Sequence, residues 1–95
     1  IDLSNEVDRL QGLIRDQKKS IVSKIRLKEA EKQKFDEAVS RFRTGRTTTA
    51  DLIIFEEDLS ISEAALANAE VELVSSINEL SRLRGTIWLA LDDYR

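Results

Sequence analysis

Ninety-five residues would ordinarily fold as one small domain around a single modest core, but 35% of these are charged, 5% are aromatic, and proline, histidine, methionine and cysteine are absent. That composition excludes disulfides, thiolate metal sites and the common histidine- or cysteine-based catalytic centres, and it favours long helices that expose much of their surface. The net charge of −3 hides an asymmetry: residues 1–46 hold 12 Lys and Arg against 8 Asp and Glu, giving +4, whereas residues 47–95 hold 3 against 10, giving −7.

The first element is a helix over residues 1–44. Leu3, Val7, Leu10, Ile14, Gln17 and Ile21 keep the four-three spacing of a coiled-coil seam, and Phe35, Ala38 and Phe42 resume it. Ile25, Ala30 and Val39 lie off that seam. The stretch from Lys24 to Lys34 has little apolar content, so the middle of this helix is expected to be the least tightly packed. Its cations, Lys18, Lys19, Lys24, Arg26, Lys28, Lys32 and Lys34, are interspersed with acids and carry no stacking aromatics, which argues against nucleic-acid binding.

A turn follows over residues 45–50. Glycine followed by threonines interrupts a helix, because glycine costs about 1 kcal/mol relative to alanine and β-branched residues lose side-chain freedom. Gly45 suits the left-handed position after a helix end, and Arg41, Arg43 and Arg46 suit the negative end of the helix dipole. Thr48 and Asp51 read as a capping box, the hydroxyl accepting from the Asp51 amide and the carboxylate accepting from the Thr48 amide.

The second helix spans residues 51–91. Its seam reads Leu52, Phe55, Leu59, Ser62, Leu66, Ala69 and Leu73, then shifts to Ile77, Leu80, Ile87 and Leu91. A second stripe of Ile54, Ile61, Ala64, Ala65, Ala67, Val71 and Val74 widens the apolar face beyond what one neighbour needs. Trp88 and Tyr94 close the chain after Gly85 and Thr86; either they pack against further structure, or Gly85 ends the helix and leaves a short amphipathic tail. The run Glu56, Glu57 and Asp58 sends neighbouring side chains to different faces and reads as solvated, so no metal site and no enzyme are expected. With charge of opposite sign on the two halves, the expected fold is all-α, a long antiparallel two-helix coiled-coil hairpin. No apolar run approaches the roughly 20 residues of a spanning helix, so the chain reads as soluble and as a piece of something larger.

From Phe42 to Ile87 the chain resembles the TolC family of outer-membrane efflux and secretion channels. The family pattern is an aromatic, two residues, glycine, five residues, then Asp and an aliphatic; here these are Phe42, Gly45, Asp51 and Leu52. Leu59, the run Leu66-Ala67-Asn68-Ala69, and Gly85-Thr86 fall at the family's spacings without a gap. About half the chain carries the resemblance, and residues 1–41 add compatible helical character.

The resemblance implies a homotrimer whose subunits build a periplasmic α-barrel below an outer-membrane β-barrel, each contributing two hairpins, of which this chain is closer to the second. It implies a periplasmic location in a Gram-negative envelope and no cofactor. The tip, Arg43, Thr44, Gly45, Arg46 and Thr47, would meet the hairpin of a periplasmic adaptor protein, and through it an inner-membrane pump, in drug efflux or type I secretion. Gly45 matches the tip glycine, where a missing side chain admits close approach; a plain helix cap accounts for the same residue. Asp51 matches an acidic position at the constricted entrance, where a ring of carboxylates would select cations and gate. Two departures stand out: Ile54 replaces a second acid found in some members, and Phe42 replaces a tyrosine, so it cannot donate to a carboxylate. A gating network here would use Arg43 or Arg46. The alternatives are the adaptor's own hairpin and a purely structural or oligomerising coiled coil.

Overall fold

The computed structural model describes residues 3–92, with side chains as far as Leu89. Two α-helices account for the described residues: α1, Leu3–Arg43, and α2, Thr49–Asp92. They lie antiparallel as a hairpin measuring 76 × 15 × 15 Å. Their accessible surface is 7286 Å², against about 5,500 Å² for a compact monomer of this mass. The rod therefore leaves more surface in water than a globule would. No helix among the described residues is long and apolar enough to cross a membrane.

The packing follows one unbroken heptad register. On α1 the inward positions are Leu3, Val7, Leu10, Ile14 and Gln17, then Ile21, Lys24, Lys28 and Glu31, then Phe35 and Ala38, all buried or half-buried. At the end away from the turn, Leu10, Ile14 and Leu80 form a buried cluster with Val7, Leu73 and Leu83 packed against it. This is the tightest part of the seam, since Leu10 retains only 1% exposure.

The centre is polar, as expected from the Lys24 to Lys34 stretch. There the long side chains bury their stems and turn their heads outward: Lys24 Nζ donates to Ser20 Oγ at 2.8 Å, and Lys34 Nζ lies 3.4 Å from the largely buried Glu31 carboxylate. Opposite them α2 alternates leucines, Leu59 and Leu66, with the small residues Ser62 and Ala69. Ser62 is buried and donates to the Leu59 carbonyl at 2.7 Å. Gln17 is less well served, because its Oε1 is buried without a hydrogen-bond partner. An orphaned buried carbonyl costs about 1–3 kcal/mol. Gln17→Leu, which keeps the volume and removes the acceptor, is expected to raise the urea midpoint; an unchanged or lower midpoint would mean that the oxygen is solvated.

Several sequence readings are corrected, and one left open is decided. The α2 seam does not shift to Ile77, which is 41% exposed; it keeps its register through buried Ser76 to Leu80, Leu83 and half-buried Ile87. A serine is small enough to occupy a seam position, so a polar residue there does not mark a change of face. The side chain of Leu91 lies outside the described residues, as does Tyr94. Phe42, in the last turn of α1, does not continue the α1 seam and is 43% exposed. Gly85 does not end α2, which runs on to Asp92; one glycine costs the helix about 1 kcal/mol, too little to break it. Trp88 is 65% exposed on this continuing helix.

The two outer faces differ. On α1 the positions facing away from α2 are mostly charged or polar, Arg15, Asp16, Lys19, Arg26 and Glu29 among them, with Val22 exposed in their midst. On α2 the corresponding positions from Ser60 to Ser81 contain no charged residue, and Ile61, Ala64, Ala67, Val71 and Val74 are exposed there. Ala65, read with this stripe, instead lies half-buried beside the seam.

At the open end Arg9 donates from Nε to Glu6 at 3.2 Å and approaches Glu79 of α2 at 4.0 Å. The hydrogen bond from Arg9 holds the Glu6 carboxyl below its ordinary range. A lowered carboxyl contributes stability above its unfolded value and loses it as the pH falls through the folded one. Both groups are exposed, so the effect is small.

Candidate functional site at the hairpin tip

The tip is built by two caps back to back. Gly45 adopts φ +72°, the left-handed conformation that costs side-chain-bearing residues about 1–2 kcal/mol. That conformation lets the Arg46 amide donate to the Arg41 carbonyl at 2.8 Å and the Gly45 amide to the Phe42 carbonyl at 3.1 Å. These are the paired bonds of a Schellman motif, which satisfies carbonyls that a helix end leaves free. The Thr44 hydroxyl adds a bond to the Arg41 carbonyl at 3.0 Å. Arg41 leans back to Glu37 at 3.8 Å.

On the other side Thr48 is the N-cap of α2. Its Oγ accepts from the Asp51 amide at 3.2 Å, and the Thr48 carbonyl accepts from the Leu52 amide at 3.1 Å. The return half of the capping box takes another form: the Asp51 carboxylate accepts from the Thr47 hydroxyl at 3.4 Å. Aspartate is one methylene shorter than the glutamate that usually reaches back to the cap amide, so it settles on the nearer hydroxyl. Its charge still sits in the first turn of α2, where the helix dipole favours an anion. Thr48→Ala is expected to cost about 1 kcal/mol of hairpin stability, read as a lower thermal midpoint, whereas Thr49→Ala, which removes no cap, serves as the control.

Of the residues read as tip contacts, Arg43, Thr44, Gly45 and Arg46 are exposed, and Thr47 is half-buried. Nothing lies within 4 Å of where a Cβ on Gly45 would stand, so this backbone is open to approach from outside. Neither Arg43 nor Arg46 has an ion-pair partner among the described residues, and neither pairs with Asp51 within the single hairpin. Phe42 and Asp51 are both exposed at this end. The tip thus combines a bare stretch of backbone, two uncommitted guanidinium groups, an exposed aromatic ring and one carboxylate. It can bind another chain by hydrogen bonds and charge. Among the described residues there is no group of three acids placed to hold a metal ion.

Sequence reasoning missed the Thr47 to Asp51 bond and the lack of charge on the outer face of α2. The first had no signal beyond adjacency to the cap. The second was legible once the seam was traced without the shift to Ile77, because that register places the acids Glu63, Glu70, Glu72 and Glu79 beside the seam and none opposite it. Comparison of the chain with protein-family models, with curated proteins and with solved structures finds no match.

Proposed function

We propose that this hairpin is the periplasmic tip of a TolC-like outer-membrane channel subunit, which docks the hairpin of a periplasmic adaptor protein and takes part in gating export of drugs or proteins. The observation that carries the reading is the turn: left-handed Gly45, open on its outer side, stands at the end of a rod 76 Å long between two uncommitted arginines. A rod of this kind presents its end at a distance from whatever anchors it. The spacing of Phe42, Gly45, Asp51 and Leu52 supports the channel side over the adaptor side of such a contact. In this reading the intact protein is a homotrimer in a Gram-negative envelope, coupled through the adaptor to an inner-membrane pump. Asp51 of each subunit contributes to a ring of carboxylates at the entrance, with Phe42 beside it.

Exposed charges at an interface act mainly on encounter rate and salt dependence. Reversal of both arginines, Arg43→Glu with Arg46→Glu, is therefore expected to weaken capture of the adaptor hairpin about ten-fold and to flatten its salt dependence. Unchanged capture would remove the arginines from the docking surface. A second reading, an oligomerising coiled coil, is favoured by a different observation, the uncharged outer face of α2.

A further inference from the structure

The outer face of α2 has no counterpart in the hairpin. Val71 and Val74 are 69% and 57% exposed there, with Ile54, Ile61, Trp88 and Leu89 along the same side. Isolated exposed apolar residues are ordinary, but the run Ile61, Ala64, Ala67, Val71 and Val74 on one face marks a contact surface. We propose that this face binds a second copy of the same chain, antiparallel, across a two-fold axis beside Val71 and Val74.

The choice of occupant rests on what each arrangement brings together. A two-fold contact uses the same patch on both copies. With the helices antiparallel and the axis at the two valines, Val71 meets Val74 of the second copy, Ala67 meets Asn78, and Ala64 meets Ser81. Ser60 meets Gly85, which has open space above its backbone and so allows close approach. On one flank Glu63 meets Arg84 of the second copy, and by symmetry Arg84 meets Glu63; on the other, Asn68 meets Ser75 and Ile54 meets Leu89. No like charges face each other, and the unmatched pairs are Ile61 with Arg82 and Glu57 with Trp88.

Neighbouring registers do worse. A slide of one heptad in one direction sets Glu70 against its own copy; in the other it sets Glu70 against Arg84 but breaks the valine contact, with Val71 against Ser81 and Val74 against Asn78. A parallel pair stacks Glu57 on Glu57 and leaves Glu63 and Arg84 without opposite charges. The α1 outer face cannot serve as the partner surface, because burial of Arg15, Asp16, Lys19 and Arg26 against alanines and valines would leave charges unpaired. The inference rests on the oligomerising coiled-coil reading, since an antiparallel pair sets the two tips at opposite ends and not together at one entrance.

The test uses the 95-residue chain. Sedimentation equilibrium across micromolar concentrations is expected to show a monomer–dimer equilibrium. Val71→Glu, at a position outside the intramolecular seam, is expected to give a monomer of unchanged helix content. Glu63→Arg is expected to weaken the dimer about five-fold through two symmetric exposed pairs, and Arg84→Glu added to it to restore the affinity. With no native cysteine, a mixture of Ala64→Cys and Ser81→Cys chains is expected to form the mixed disulfide. A monomer at every concentration, a Val71→Glu chain that still dimerises, or disulfides only between identical positions would each overturn the proposal. The last of these would point instead to parallel, side-by-side packing of hairpins.

Discussion

Leu10→Ala is expected to lower the stability of the hairpin by about 2–4 kcal/mol, the largest loss from any single truncation in the seam. Leu10 is 1% exposed and sits with Ile14 and Leu80 where Val7, Leu73 and Leu83 close over them. Elsewhere the large apolar residues of the seam, such as Ile21, Phe35 and Leu59, are only half-buried and alternate with serine, alanine and the stems of lysines, so no other truncation removes as much buried surface. Domains of this size have about 5–15 kcal/mol in total, which makes the loss a large share. It is read as a fall in thermal midpoint, about 4–8 °C per kcal/mol for chains of 60–100 residues. Ile25→Ala, at an exposed off-seam position, is expected to stay within about 0.5 kcal/mol. Equal shifts for the two variants would mean that the apolar cluster does not hold the rod together.

Substitution of Gly45 is expected to divide stability from docking. Gly45→Trp forces a side chain into φ +72°, which costs about 1–2 kcal/mol, and places an indole where a partner tip would approach. Open space around the position means that no clash within the hairpin adds to this cost. Helix content is expected to remain near that of the parent, and docking of an adaptor hairpin to be abolished. Gly45→Asn separates the two effects, since asparagine tolerates the left-handed region: it is expected to keep the turn and to weaken docking by less than tryptophan does. If Gly45→Asn and Gly45→Trp lose stability equally and docking not at all, Gly45 is a helix cap and nothing more.

Much of this architecture was legible in the sequence, for identifiable reasons. Four-three spacing of large aliphatics at Leu3 to Ile14 and at Leu52 to Leu73 admits few structures besides a coiled-coil hairpin, and Gly45 among arginines and threonines locates the turn. Legibility failed where residue type and position disagree. Ser76 occupies a seam position that an aliphatic would normally mark, so Ile77 drew the register one residue off. Phe42 has the right spacing to be inward, but it stands in the last turn of α1, and spacing alone does not show where the seam stops. At the tip the Schellman cap followed from glycine, whereas the use of the Asp51 carboxylate by Thr47 depends on the path of two turn residues that no local propensity fixes. The uncharged back of α2 is a property of the register and becomes visible only when the register is right.

The measurement that bears most directly on the central claim places a single cysteine at Thr47 in the intact protein and tests, in cells, for a crosslink to cysteines placed at the tip of the cognate adaptor hairpin. Thr47 lies at the turn, and none of these 95 residues is a cysteine; the parent without the Thr47 substitution is the control for any other. The docking reading predicts a crosslink to the adaptor that is lost when Gly45→Trp is added. Crosslinks only between copies of this chain, with none to the adaptor, would contradict it and leave an oligomerising coiled coil.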